Sequence, residues 1–153
     1  MSNPMLLVQW ICENLLTTAN LVIKRGALML KMLIVDDQNG IRRLLTEVFL
    51  EYGYEIESCG SGIKALEIIP KFQPDLIIMD VKMPGMSGIE VLTKLRETDF
   101  KSRVIMMTAY GDQIFYKQAE ELGVSGFVVK PFDLNDLKKQ VGEIINADQV
   151  SGD

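Results

Sequence analysis

The chain has 153 residues, of which 48% are hydrophobic, so it can form one domain with a buried core. Its formal net charge of −5 excludes a basic surface for nucleic acid over the chain as a whole. Histidine is absent from the sequence, which excludes Ser-His-Asp or Cys-His catalysis, a histidine-ligated metal and a phosphohistidine within these residues.

Residues 1–30 differ from the rest of the chain. The segment is apolar but interrupted by Glu13, Asn14 and Asn20, which makes it too broken for a membrane span of about 20 residues. It also lacks the positively charged start of a signal peptide. We expect an N-terminal extension that is helical or poorly ordered. A membrane-surface helix is the alternative.

From residue 31 onward, short apolar runs alternate with amphipathic segments. Strands are predicted at 32–37, 54–59, 75–80, 103–111 and 126–132, and helices at 40–53, 62–72, 87–97, 112–123 and 133–146. The strands are apolar without strict alternation, which indicates a parallel sheet covered on both faces. We therefore expect a doubly wound α/β domain over residues 31–147 and a flexible tail at 148–153.

Polar residues lie at or near the carboxyl ends of the predicted strands, where this fold binds its ligands. They are Asp36, Asp37, Asp80, Thr108 and Lys130. Three carboxylates at one edge repel each other unless a cation lies among them, and a hard divalent ion such as Mg²⁺ suits oxygen ligands. Such an ion would also neutralise an incoming phosphoryl group and leave one carboxylate free to attack phosphorus.

The neighbouring residues fit the same chemistry. Lys130 would offer a positive charge to a phosphoryl oxygen, and Thr108 would donate a hydroxyl hydrogen bond. Gly85 and Gly88 allow a tight turn whose backbone N–H groups face the phosphoryl group. Pro131 makes the preceding peptide bond a candidate for the cis form. Taken singly, each feature is typical of an ordinary turn, strand end or cap, but their coincidence at successive strand ends favours a site.

Four blocks of sequence resemble one known family. LIVDDQNGIRRLL, DLIIMDVKMPGMSGIE, VIMMTAYG and GFVVKPFDLNDL together resemble the receiver domain of bacterial two-component response regulators. The resemblance is more specific to the single-domain regulators of the sporulation phosphorelay in spore-forming bacilli. It implies a (βα)5 flavodoxin-like fold with a five-stranded parallel sheet of order 2-1-3-4-5. Because the resemblance extends to the fifth helix and little follows, we expect a relay intermediate or stand-alone receiver, not a transcription factor.

The resemblance implies a role for each residue of the predicted site. Asp80 would accept a phosphoryl group from a phosphohistidine of a sensor kinase and pass it to a histidine phosphotransferase. The expected ligands of Mg²⁺, with Mn²⁺ as the alternative, are Asp36, Asp37, Asp80 and the backbone carbonyl of Lys82. Thr108 and Lys130 would contact the phosphoryl group.

Further residues are implicated by the resemblance. Phe127 lies where the family keeps an aromatic or histidine switch residue, but it offers no hydroxyl or imidazole. Lys82 and Tyr110 flank the phosphorylation pocket, or are exposed loop residues. The residues that resemble a partner-docking surface are Gln38, Ile41 and Leu44, although an apolar stripe is also typical of a core.

The expected protein is a phosphoacceptor that assists its own phosphorylation and dephosphorylation, not an enzyme with a separate substrate. We expect a cytoplasmic monomer that binds a histidine kinase, a phosphotransferase and an aspartyl-phosphate phosphatase, with no nucleic acid and no membrane except through residues 1–30. Two alternatives remain. One is an aspartyl phosphatase, although Asp36 lacks a second acid two residues later. The other is a receiver-like module that binds proteins.

Overall fold

The computed structural model describes Met5 and residues 29–109 and 111–147. The remainder of the N-terminal extension, Tyr110 and the tail at 148–153 lie outside the described residues, and so do the predictions made for them. Within the described part of the chain, no helix has both the length and the apolar character needed to cross a membrane.

Strands and helices alternate along the chain. Strands β1 to β5 span Lys31–Val35, Glu55–Cys59, Leu76–Asp80, Arg103–Ala109 and Gly126–Lys130, and helices α1 to α5 span Asn39–Glu51, Gly62–Phe72, Gly88–Arg96, Gln113–Glu121 and Leu134–Ala147. All neighbouring strands are parallel, in the order β2-β1-β3-β4-β5. The predicted doubly wound α/β fold and strand order are therefore confirmed.

Three strand ends differ from the prediction by two residues. β1 ends at Val35, so Asp36 and Asp37 follow the strand instead of ending it. β4 ends at Ala109 and β5 at Lys130. Apolar composition marks where a strand is buried, but pairing with the neighbouring strands decides where it stops, and a sequence pattern does not contain that pairing.

The hydrophobic core lies on both faces of the sheet. Successive residues of a strand point to opposite faces, so Leu33 and Val35 join one cluster while Met32 and Ile34 join the other. Helices α2, α3 and α4 contribute to the first cluster, and α1 and α5 to the second. β3 is buried along its whole length, which explains why its sequence is apolar without alternation.

Local signals set the ends of several helices. A capping box is present at the start of α3: Ser87 Oγ accepts a hydrogen bond from Glu90 N–H, and the Glu90 carboxylate accepts one from Ser87 N–H. Asp133 Oδ1 accepts hydrogen bonds from two backbone N–H groups at the start of α5. Pro70 lies inside α2, which ends two residues later at Phe72.

The start of α3 packs directly onto the end of β3. A Cβ atom on Gly88 would lie 2.3 Å from the backbone carbonyl oxygen of Asp80, so this approach requires glycine. The Gly88 N–H also donates a 2.8 Å hydrogen bond to the carbonyl of Val81. These contacts hold the loop between β3 and α3 in place, next to the side chain of Asp80.

Candidate functional site

The sheet brings the predicted polar residues to one edge. β1, β3 and β4 are neighbours, with Val35 opposite Met79 and Asp80 opposite Met107 in the strand register. Lys130 is the last residue of β5 and pairs with Ala109 at the end of β4. The carboxyl ends of these four strands therefore form the floor of a single site, as expected for a doubly wound fold.

Three carboxylates lie together at this edge. Asp36, Asp37 and Asp80 each place one carboxylate oxygen within 4.8 Å of the other two. Asp36 is fully buried and Asp80 is 8% exposed, whereas Asp37 is exposed. The cluster thus combines two buried acids with one that is open to solvent.

Lys130 is paired with the two buried acids. Its Nζ donates to Asp36 Oδ2 at 2.7 Å and lies 3.3 Å from Asp80 Oδ2. The other oxygen of Asp36 accepts a 2.8 Å hydrogen bond from the backbone N–H of Gln38. Both Asp36 oxygens are therefore engaged. The Lys130–Pro131 peptide bond is cis, the form for which the sequence made it a candidate.

The surroundings shift the pKa values of both Asp80 and Lys130. Burial raises the pKa of Asp80, and the negative charge of Asp36 adds to this effect, while Lys130 and a hydrogen bond from the Lys82 backbone oppose it. For Lys130, burial alone lowers the pKa, but the hydrogen bond to Asp36 and the charge of Asp80 together outweigh burial and raise it. Lys130 is therefore a firmly charged ammonium beside a carboxylate that ionises less readily than usual.

Arg42 supports the loop that carries the acids. Its Nη1 donates a 2.7 Å hydrogen bond to the backbone carbonyl of Asp36, and its Nη2 donates to Asn39 Oδ1 at 3.1 Å. The sequence analysis did not identify Arg42 as part of the site, because it lies outside the apolar stripe of α1. Arg42 could have been identified from its position in the first turn of a helix that follows two acidic residues.

Thr108 is bound to a helix instead of to the acids. It is 1% exposed, and its Oγ1 donates a 3.0 Å hydrogen bond to the hydroxyl oxygen of Tyr116 on α4. The Tyr116 ring packs against the Phe127 ring, with the centroids 4.5 Å apart. The sequence analysis missed Tyr116. Its spacing of three residues from Ala119, a buried residue of the same helix, indicates an inward-facing position.

Lys82 reaches from the loop after β3 to the start of α4. Its Nζ lies 2.9 Å from Asp112 Oδ1 and 5.8 Å from the centroid of the Phe115 ring. The other oxygen, Asp112 Oδ2, is buried and has no hydrogen-bond partner among the described residues. Asp112 was also missed from the sequence, where it was read as the start of a helix.

The three predicted docking residues differ in exposure. Gln38 is exposed and immediately precedes α1, where its side chain makes no capping hydrogen bond. Ile41 is partly buried and packs against the second core cluster. Leu44, for which the sequence left both a docking surface and the core open, is 39% exposed. Leu44 and Gln38 are thus open to a partner, whereas Ile41 belongs partly to the core.

The acidic cluster is suited to a hard divalent cation. Its donor atoms are carboxylate oxygens within reach of one another, which is the ligand chemistry of Mg²⁺ and Mn²⁺. Exposed Asp37 leaves room for water ligands, as Mg²⁺ prefers. Beside such a cation, Asp80 and Lys130 form a carboxylate and ammonium pair suited to binding and attacking a phosphoryl group.

Comparison with known protein families gives one match that covers most of the chain. The family model described as "Response regulator receiver domain" matches residues 32–142. Among curated proteins, the sporulation initiation phosphotransferase F of Bacillus subtilis is 46% identical over 111 residues, which cover 72% of this chain and 90% of that protein. The chemotaxis protein CheY of Halobacterium salinarum is 33% identical over 118 residues, covering 76% of this chain and 98% of that protein.

Solved structures show the same likeness. The chemotaxis response regulator CheY4 of Vibrio cholerae has a TM-score of 0.71 and 31% identity, covering 76% of this chain and 99% of that one. The signal receiver domain of a LuxO repressor protein from Vibrio parahaemolyticus has a TM-score of 0.75 and 28% identity, covering 81% of this chain and 95% of that one.

Proposed function

This chain belongs to the response regulator receiver family, and on that premise we propose that it is a phosphorelay intermediate whose phosphoacceptor is Asp80. It would take a phosphoryl group from a phosphohistidine of a sensor kinase and pass it to a histidine of a phosphotransferase. The observation that carries this proposal is the position of Asp80 at the end of a buried strand, 3.3 Å from Lys130 and clustered with two more acids.

Among the three acids, the surroundings favour Asp80 as the nucleophile. Both oxygens of Asp36 already accept hydrogen bonds, from Gln38 N–H and from Lys130. Asp37 is exposed, so water would compete for a phosphoryl group there. Asp80 is nearly buried yet adjacent to the Lys130 ammonium, which can neutralise charge on an attacked phosphoryl group.

The acidic cluster would hold Mg²⁺, with Mn²⁺ as the alternative. Asp37 and Asp80 would be direct ligands together with the backbone carbonyl of Lys82, and Asp36 would bind directly or through water. The ion would supply positive charge that draws the phosphoryl oxygens to the site and neutralises them. Asp36 has a second role, because its 2.7 Å hydrogen bond orients Lys130.

The transfer is a substitution at phosphorus. An oxygen of the Asp80 carboxylate supplies an electron pair and forms the new phosphorus–oxygen bond, while the phosphorus–nitrogen bond of the donor breaks and the imidazole leaves with its electron pair. Lys130 and the hydroxyl of Thr108 bind the phosphoryl oxygens as this occurs. In the second transfer, a histidine of the phosphotransferase attacks phosphorus, the bond to the Asp80 oxygen breaks, and the Asp80 carboxylate is free again. This chain contains no histidine, so partners supply both imidazoles.

Partners and pathway extend the same proposal. One relative is named a sporulation initiation phosphotransferase, which supports a place in a sporulation phosphorelay in the cytoplasm. Gln38, Ile41 and Leu44 would dock a kinase or phosphotransferase, and an aspartyl-phosphate phosphatase could use the same face.

The phosphate lifetime would depend on Lys82, which lies beside the pocket. Phe127 and Pro131 would respond to phosphorylation of the pocket and pass the change to the neighbouring surface. The protein would act as a monomer.

The direct test is intact-mass analysis after incubation with acetyl phosphate. We expect the wild-type protein to gain one phosphate only when Mg²⁺ is present, and Asp80→Asn to gain none. Asp99→Asn is the matched control, because Asp99 is an exposed aspartate in the turn after α3 and its loss should leave the adduct unchanged.

Rapid hydrolysis could hide a real adduct, so a beryllium fluoride complex, which mimics a stable phosphoryl group, completes the experiment. Binding of this complex to the wild-type protein and not to Asp80→Asn would support the phosphoacceptor role even without an observed adduct. If neither an adduct nor the complex is found, the phosphoacceptor proposal is wrong, and the alternative of a receiver-like module that signals without phosphate gains support.

A further inference from the structure

Thr108 and α4 are joined by one hydrogen bond inside the protein. The hydroxyl of Thr108 is 1% exposed and donates to the hydroxyl oxygen of Tyr116 at 3.0 Å. A threonine hydroxyl has a single proton to donate. While that proton is given to Tyr116, it is not available to a phosphoryl group on Asp80.

The neighbouring strand offers no other hydroxyl for this purpose. Phe127 on β5 presents a bare aromatic ring, and that ring packs against the Tyr116 ring with the centroids 4.5 Å apart. Ring packing positions Tyr116 and so aims its hydroxyl at Thr108. The hydroxyl that contacts Thr108 therefore comes from the helix and not from the sheet.

Besides this hydrogen bond, α4 is held by packing of Phe115 and Ala119 on the first core cluster and by hydrogen bonds from Arg96 to the carbonyls just after its last residue. Ala119 is its only fully buried residue, Asp112 makes no side-chain capping hydrogen bond, and the first turn carries no acidic residue. Its first residues are held from outside the helix by the ion pair between Asp112 and Lys82. The hydrogen bond between Thr108 and Tyr116 adds a direct polar link from this packed helix to the end of β4.

We propose that Tyr116 is a positioning residue that tethers Thr108 to α4 in the unphosphorylated protein and gives up this hydrogen bond when Asp80 is phosphorylated. The phosphoryl oxygen and the Tyr116 oxygen compete for the proton of Thr108, and occupancy of the site releases α4. This inference rests on the proposed phosphoacceptor role of Asp80. It assigns to Tyr116 the polar part of a switch that Phe127 cannot supply.

The test compares Tyr116→Phe with the wild-type protein. The substitution removes the hydroxyl and keeps the ring that packs on Phe127. Because binding no longer has to break the tether, we expect about two- to tenfold tighter binding of the beryllium fluoride complex in the presence of Mg²⁺, the size of one neutral hydrogen bond. The affinity for Mg²⁺ alone, measured by calorimetry, should not change.

Two further comparisons separate a tether from a general structural effect. Tyr52→Phe removes a hydroxyl from an exposed tyrosine at the end of α1 and should leave the affinity for the complex unchanged. In a Thr108→Ala background, Tyr116→Phe should have no additional effect, because the hydrogen bond is already absent.

Hydrogen exchange tests the tether without any phosphoryl mimic. In the unliganded protein, amides of Gln113–Glu121 should exchange about two- to tenfold faster in Tyr116→Phe than in the wild type, and Tyr52→Phe should not show this. If the wild type does not bind the complex, the proposed function fails while the exchange data still test the tether. If the wild type binds it and Tyr116→Phe binds equally or more weakly, the competition is refuted and the proposed function stands.

Discussion

Asp80 is held where its own negative charge is disfavoured. Its burial and the proximity of Asp36 raise the pKa of the carboxyl group, and Lys130 offsets only part of this effect. A residue kept in a high-energy state by the fold is typical of a functional site, where stability is given up for reactivity. The consequence is measurable, because neutralising the residue should make the protein more stable.

We predict that Asp80→Asn raises the free energy of unfolding by about 1 kcal/mol at neutral pH without divalent cations. Since the folded pKa is raised, the folded protein keeps a proton on Asp80 at pH values where the unfolded chain has lost it. The wild type therefore loses stability as pH rises from the ordinary aspartate value, about 4, through the raised value. The mutant lacks this loss, so its advantage should grow over that range.

Urea unfolding from pH 4 to pH 8 measures this difference, and Asp99→Asn serves as the exposed control. Added Mg²⁺ should stabilise the wild type and leave Asp80→Asn almost unchanged, because a cation that binds only the folded state shifts unfolding by mass action. A mutant that is less stable than the wild type at neutral pH would show that the ion pair with Lys130 outweighs burial.

Single residues also show what could be predicted from the sequence and what could not. The acids and Lys130 were predicted to lie together, because a polar residue after an apolar strand must lie at the sheet edge in this fold. Tyr116 and Asp112 were not identified, because their partners depend on how closely α4 approaches the strand ends. For Leu44 the sequence could not decide between a docking surface and the core, because helical spacing defines a stripe but not its width. The structure leaves Leu44 39% exposed.

At the scale of elements, the junction between β3 and α3 positions Asp80, the proposed phosphoacceptor. Because Gly88 has no side chain, the first turn of α3 can contact the Asp80 carbonyl. The capping box of Ser87 and Glu90 fixes where that helix begins. The element types and their order were predictable because apolar runs, capping residues and glycines alternate along the sequence. The close approach at Gly88 was not, because it depends on two elements meeting in space.

We predict that Gly88→Ala destabilises the protein by about 1–3 kcal/mol, since the atom nearest to the new Cβ would be the backbone carbonyl oxygen of Asp80, which cannot move as a flexible side chain can. It should also slow phosphorylation by acetyl phosphate, because the end of β3 must shift. Gly40→Ala is the matched control: Gly40 lies in the first turn of α1, with nothing within 4 Å of a new Cβ. Thermal unfolding and intact mass give both readouts.

The control should be neutral or slightly stabilising, as alanine favours helix more than glycine. Equal stability of Gly88→Ala and the wild type would mean that α3 can move away from β3 freely. The loop would then not be held by this contact, and the position of Asp80 would need another explanation.

At the scale of the whole molecule, one sheet has a hydrophobic cluster on each of its two faces. The neighbouring strands β1 and β3 each contribute residues to both clusters. A substitution that weakens packing on one face should therefore also lower the stability of the other face, as in a domain that unfolds as a single cooperative unit. The site lies at the edge common to both clusters, which makes its geometry depend on both.

We predict that Phe49→Ala lowers the free energy of unfolding by about 3–5 kcal/mol, the usual effect of removing a buried aromatic ring. Phe49 is 1% exposed, whereas its neighbour Leu50 on the same helix is 53% exposed, so Leu50→Ala should change stability far less. Hydrogen exchange should show lost protection in α2, on the opposite face, as well as in α1. Loss confined to α1 and α5 would mean that the two faces unfold independently.

The contact of Lys130 with both buried acids also sets the electrical state that a partner meets. With the three carboxylates ionised, Asp36, Asp37, Asp80 and Lys130 together carry a charge of −2. A bound divalent cation would cancel this charge. The proposed acyl phosphate on Asp80, at about −2 in place of −1, would make the site negative again. Partners would thus approach a neutral surface before transfer and a negative one after it. Salt should accordingly change the association rate more for the phosphorylated form than for the cation-bound, unphosphorylated form. It should slow association with a partner whose docking face is positively charged, because charges are screened over about 8 Å at physiological ionic strength.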